Sequence, residues 1–121
     1  MAQVLSQKNR GVLVVYINEP KLLDERLINE VGRALLAALD QVENEMLLVN
    51  FQGVRFMSSS MIGRIVALYK KCKVGKINLK LSNISAEIME VFELMRLHKL
   101  LSLCADEADA MTAFEKDGWL R

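Results

Sequence analysis

The chain has 121 residues, 52% of them hydrophobic, with 16 basic and 15 acidic side chains for a net charge of +1. That length supports one domain with a sizeable core, and the near-neutral balance excludes a protein that holds nucleic acid by bulk positive charge. Every uncharged stretch is too short to span a bilayer.

The opening MAQVLSQKNRGVLVV carries basic residues but no apolar run followed by small residues, so no signal peptide is read and a cytoplasmic protein is the expectation. Gln3 to Gln7 alternates and is expected to form an edge strand, turned by Asn9-Arg10-Gly11 into the β-branched run Val12 to Ile17, a buried strand. After Pro20 the period changes. Leu27, Ile28, Val31, Leu35, Ala38 and Leu39 recur at three and four, with Asp24 placed to cap the helix they imply. Met46 to Phe51 is a second buried strand, closed by Gly53. Met61, Ile62, Ile65, Val66, Leu68 and Tyr69 form a second helical stripe, stopped at Gly75. Ile77 to Leu81 alternates as a strand. Ser85, Ile88, Val91, Phe92 and Met95 make a third helix, Leu100 to Cys104 a short last strand, and Asp106 to Phe114 a final helix. The tail from 115 to 121 is expected to fray.

The order is ββαβαβαβα. Strands alternating with helices of this length imply crossovers, hence one α/β domain over residues 1–121 with a mixed, mostly parallel sheet flanked by helices and an antiparallel strand at its edge.

The remaining chemistry is sparse. Cys72 and Cys104 stand 32 positions apart without a CxxC pair and read as reduced, at least partly buried thiols. His98 is the sole histidine, so a zinc site of the usual kind lacks ligands. A hydrolase built on a serine would need His98 as its base, a third group to orient it, and a GxSxG turn that the chain does not contain. No enzyme, metal or cofactor site is expected. Lys70, Lys71, Lys73 and Lys76 form the one basic cluster. With no aromatic interleaving, it reads as the solvated end of a helix, and no nucleic-acid or membrane partner is expected.

Ser58, Ser59 and Ser60 interrupt an apolar stretch at the point where the second strand's loop enters the second helix. A serine at a helix start caps it by accepting from an amide two or three residues on. The cap uses one hydroxyl of the three. A phosphate on an exposed one would meet free amides and the positive helix end, adding roughly −1.5 to −2 charges to whatever surface lies there.

The segment VNFQGVRFMSSSMIGRIVALYKK resembles the central motif of the STAS domain family, the anti-sigma factor antagonists, in which a hydrophobic strand leads through a loop of the form sGv.fmDSSGlG into a helix often ending near YK. Gly53, Val54, Phe56, Met57, Ser59, Ser60, Ile62, Gly63 and the Tyr69-Lys70 pair match. The element order agrees, and SNISAEIMEVFELMRLHKLLSLCADEADAMTAF resembles the family's C-terminal half. The resemblance implies a non-enzymatic, bacterial signalling module acting on transcription by partner switching. The unmodified form binds an anti-sigma factor that is also a serine kinase of the GHKL ATPase type, phosphorylation of the first motif serine ends the interaction, and a PP2C-type phosphatase resets it. By position that serine is Ser59, with Ser58 and Ser60 as lesser candidates. Partner contacts are expected from Met57, Ser58, Ser59, Ser60, Met61 and Arg64, and the chain is expected to be a monomer or weak dimer.

The chain departs from the family pattern in four places. Ser58 replaces the aspartate, Met61 replaces the glycine after the two serines, and Asn50 stands where a strand-end aspartate is frequent; the early GElD segment is replaced by NEPKLLDER. Ser58 can still cap. Met61 is read as an adaptable exposed contact or a core filler, while Met46, Met89 and Met111 are read as core. Arg64 and Lys71 are read on a polar helix face, and Glu19 and Asp24 as neighbours of the serine loop if both lie at the same end of the sheet. The alternative function is a small-molecule or nucleotide sensor that uses the serine loop as an anion site, although no glycine-rich phosphate loop is present.

Overall fold

The computed structural model describes residues 3–118. β1 (Val4–Asn9) and β2 (Val12–Ile17) form an antiparallel hairpin. Its two-residue turn puts Arg10 at φ 52° and Gly11 at φ 85°, the left-handed pair that matches the twist of the flanking strands. The expected edge strand and turn are both there. β3 (Lys21–Leu22) follows, then α1 (Glu25–Ala38), β4 (Met46–Asn50), β5 (Phe56–Met57), α2 (Ser59–Val74), β6 (Asn78–Ser82), α3 (Ala86–Leu94), β7 (Ser102–Cys104) and α4 (Glu107–Lys116), with short 3₁₀ turns at Leu39–Gln41 and Leu97–Lys99. The main sheet runs β1-β2-β4-β6-β7, and every pairing after the hairpin is parallel.

Each crossover steps one strand further in the same direction. Right-handed connections then place α1, α2 and α3 together on one face. The strand side chains divide accordingly. Leu13, Val15 and Ile17 of β2 and Leu47 and Val49 of β4 pack in one cluster with Ile28, Val31 and Leu35 of α1, Met61, Ile62 and Ile65 of α2, and Phe92 of α3. Val12, Val14, Met46 and Leu48 point to the opposite face and meet Ala110, Met111 and Phe114 of α4. Buried on both faces, β4 reads as a continuous apolar run.

Polar side chains fasten α4 at both ends. At its start, Glu107 accepts from the Tyr16 hydroxyl at 2.7 Å and from Asn9 Nδ2 at 2.9 Å. Burial first, and this bond second, push the Tyr16 hydroxyl above its ordinary value, so it remains a donor. At its far end Asp117 pairs with Lys80 Nζ at 2.8 Å, and that ammonium also lies 5.1 Å over the Phe114 ring. Lys80 is only 4% exposed. The alternation of β6 marks a strand correctly but conceals that its lysine is covered by α4. Within the tail from 115, Glu115 and Lys116 belong to α4 and Asp117 pairs with Lys80. Residues 119–121 lie outside the described residues.

Cys72 is buried, with its thiol pushed up to about 11 by desolvation, and Cys104 is half-buried and also raised by burial. Both stay protonated and poorly nucleophilic at neutral pH.

Hydrogen bonding to Lys80 holds the Asp117 carboxyl below the usual aspartate range. A lowered folded value means the unfolded chain binds more protons, so this contribution is present above the unfolded pKa and disappears as pH falls through the folded one. Asp117 is half exposed, and solvent screening limits the pair to about 1 kcal/mol at most. Urea unfolding of Asp117→Asn should therefore show a loss of up to about 1 kcal/mol at pH 7. The gap to wild type should close as pH drops from about 5 to about 2.

Candidate functional site

The three serines sit at the carboxyl end of the parallel sheet, where the chain leaves β4 and enters α2. Asn50, buried at the tip of β4, accepts from the Gln52 amide through Oδ1 at 2.8 Å and starts the turn. Gly53 then passes against the loop after β2. A Cβ there would lie 2.4 Å from Asn18 Oδ1 and 2.6 Å from Asn18 Cα, so close approach of two backbones requires glycine.

Beyond Gly53 the chain is gripped by the segment after Pro20. The Arg55 and Phe56 amides donate to the Pro20 carbonyl at 2.9 and 3.0 Å, and the Ser58 amide donates to the Leu22 carbonyl at 2.9 Å. These bonds make β3 and β5 a two-stranded parallel sheet in which Lys21 faces Phe56 and Leu22 faces Met57. From the other side the Ser85 hydroxyl, in the loop before α3, donates to the Arg55 carbonyl at 3.1 Å. The expected proximity of Asp24 to the serine loop follows from this pairing. Asp24 is itself occupied as the α1 cap, accepting from the Leu27 amide at 3.3 Å.

Each serine has a different environment. Ser58 is the α2 N-cap, with extended backbone and an Oγ that accepts from the Met61 amide at 3.3 Å. It thus does the structural work, in the position where the family motif carries aspartate. Ser59, the first helical residue, is exposed, and Ser60 is half-buried. The Ser59 and Ser60 amides open the helix without intrahelical acceptors, and the first turn of α2 contains no acidic side chain. Its positive end is therefore not neutralised from within the helix.

Two expected contacts prove to point elsewhere. Met61 is 0% exposed and lies in the core with Ile62 and Ile65. Of the two readings of Met61, core filler and exposed contact, burial bears out the first: the Ser58 cap sets the helix phase so that residue 61 turns inward. Arg64 is half-buried, and its guanidinium hydrogen-bonds Asn29 Oδ1 on α1. It ties two helices together rather than standing free on a polar face. Met57 is half-buried against the core. The exposed apolar neighbours of the serine turn are instead Phe56, 40% exposed, and Leu23, 54% exposed, with the Arg55 guanidinium 5.8 Å from the Phe56 ring. Neither residue carries a period that marks it in sequence, because strands of two residues show none.

His98 lies in the turn between α3 and β7, at the amino end of the strands, whereas Ser59 lies at the carboxyl end. The hydrolytic reading loses its base on topology. Among the described residues, no three His, Cys, Asp or Glu side chains are grouped as metal ligands would be.

The model of the STAS domain matches residues 3–110. The chain belongs to the STAS domain family. Solved structures with the same fold include an anti-sigma factor antagonist from Mycobacterium paratuberculosis, 20% identical, covering 93% of each chain with a TM-score of 0.82. An anti-sigma-factor antagonist STAS domain protein from Planctomyces limnophilus is 19% identical over 93% of this chain and 97% of its own, with a TM-score of 0.79. The phosphorylated form of the Bacillus cell fate determinant SpoIIAA is 19% identical over 93% and 98%, with a TM-score of 0.66. At these identities the likeness is one of fold. No curated protein matches the chain at a significant level.

The environments above predict an ordered response in urea unfolding. Ser58→Ala should cost about 1 kcal/mol through loss of the cap, and Ser59→Ala should stay within about 0.5 kcal/mol of wild type. Gly53→Ala should cost roughly 1–3 kcal/mol through overpacking against Asn18. Equal losses for the two serine variants would mean that residue 59 shares the capping role.

Proposed function

We propose that this STAS domain is a regulatory, non-enzymatic binding module of the anti-sigma factor antagonist type, switched by phosphorylation of Ser59. The single observation that supports this reading is the division of labour at the start of α2. Ser58 satisfies the helix and Met61 the core, which leaves Ser59 exposed with no structural task. A hydroxyl so placed is accessible to a kinase. A phosphate on it is accommodated by the open helix end at a benefit of about 0.3–1 kcal/mol, so the fold tolerates the modification.

The consequence falls on the partner. A surface fitted to Ser59, Phe56 and Leu23 is matched to a hydroxyl beside exposed apolar side chains. Adding a double negative charge there forces desolvation without a counter-charge, which costs several kcal/mol. Loss of binding outweighs any gain at the helix end. The partner class proposed is an anti-sigma factor with serine-kinase activity of the GHKL ATPase type, with a PP2C-type phosphatase restoring the hydroxyl in a bacterial cytoplasm. This reading gains support from the fold neighbours, one of which is a phosphorylated form. No helix among the described residues is long and apolar enough to cross a membrane. The chain is proposed to act as a monomer or weak dimer.

The test is capture of partners from native lysate by wild type, Ser59→Ala and Ser59→Asp, with phosphosite mapping of the recovered protein. Ser59→Ala should retain the wild-type partner, Ser59→Asp should recover about tenfold less or lower, and phosphate should map to residue 59. Equal capture by the aspartate variant, or phosphate confined to Ser58 or Ser60, would overturn the switch.

A further inference from the structure

The lysine cluster at the far end of α2 has no part in the reading above. α2 runs from Ser59 to Val74, so its last turn lies about 18–22 Å from Ser59. Around that turn, three hollows of about 540, 480 and 260 Å³ run together. Ile77 borders all three, and Lys73 and Asn78 border two. The apolar floor continues from Leu39 at one end, past Ile77, to Leu100 at the other, with Val74 on the rim at 86% exposure.

Four lysines edge this furrow: Lys70 and Lys71 at the first hollow, Lys73 in the middle, and Lys76 beside it. All four are exposed. Among the described residues they enter neither of the two ion pairs, Lys8–Glu43 and Lys80–Asp117. Glu45 is the one acidic side chain lining the hollows. The helix dipole accounts for a lysine or two in the last turn of α2. It does not account for an almost fully exposed valine between them, nor for a concave apolar floor.

We infer that this furrow is a second protein-docking site, whose occupant is an acidic segment carrying spaced bulky apolar residues. The charge of the rim selects the sign of the occupant, and the succession of hollows selects side chains entering one after another. A membrane surface fits less well, because interfacial binding needs apolar groups that protrude as a face. A nucleic acid fits less well because the furrow offers no guanidinium fork, and its one aromatic, Tyr69, already has Lys73 against its ring and hydroxyl. The site lies at the opposite end of α2 from Ser59, so its occupancy is independent of the charge state there. The domain can then hold one partner constantly while exchanging another.

The probe is an array of short fluorescent peptides rich in Asp and Glu, with two leucines at systematically varied separation, titrated against the whole chain by anisotropy. A subset with a preferred leucine separation should bind, and binding should weaken as salt rises. The double variant Lys71→Glu with Lys73→Glu, and separately Val74→Asp, should each weaken the best peptide by about tenfold or more. Ser59→Asp should bind it as wild type does. Circular dichroism establishes that these surface variants remain folded. The inference is overturned if no peptide binds, if affinity follows charge alone regardless of leucine separation, or if the lysine variant binds unchanged. It is equally overturned if Ser59→Asp loses the peptide, or if phosphatidylserine–phosphatidylcholine vesicles or duplex DNA bind more tightly than the best peptide.

Discussion

The geometry of the serine turn depends on the pairing of Ser58 with two neighbours at once. Its amide donates to the Leu22 carbonyl at 2.9 Å and its Oγ accepts from the Met61 amide at 3.3 Å. The first bond fixes where the chain enters α2, and the second fixes the phase of the helix. With residue 58 held, 61 and 62 face the core and 59 faces solvent, because successive helical positions turn by a fixed angle. A different cap would rotate the serines relative to the sheet. Substitution of the family aspartate by Ser58 therefore removes a charge while preserving the phase.

Much of this was legible in the sequence. Continuous apolar runs located β2 and β4, alternation located β1 and β6, and apolar periods of three to four located all four helices; the Asn9-Arg10-Gly11 turn was legible from its glycine, which takes positive φ at no steric cost. The serines were legible as a helix start, and the motif resemblance singled out Ser59. What sequence did not show has physical reasons. β3 and β5 are two residues each and are held by backbone carbonyls of Pro20 and Leu22, which any residue could supply. Met61 could be read either way, since methionine serves both cores and adaptable surfaces; the cap decides. The covering of Lys80 was not legible, because alternation reports two faces without reporting what covers each. Its cover is α4, and its counter-charge, Asp117, is 37 positions away. Arg64 likewise met Asn29 at a separation of 35.

The same frame separates two kinds of surface along one helix. The first turn of α2 carries no acidic side chain, its neighbours Phe56 and Leu23 are exposed and apolar, and its Ser59 and Ser60 amides are open. The end of α2 is basic and grooved. Between them Ile62, Ile65, Leu68 and Cys72 are buried, so the helix is a rigid spacer rather than a lever. Regulation in this domain is therefore expected to be local, by altering what docks and not by altering shape.

That expectation is tested most directly by placing phosphoserine at position 59 during synthesis and comparing amide NMR spectra and thermal unfolding of the modified and unmodified chains. The account predicts perturbations confined to β3, β5 and the first two turns of α2, with an unfolding midpoint unchanged or slightly raised. Perturbations spreading through β4, β6 and the core around Phe92, or a midpoint lowered by several degrees, would contradict it.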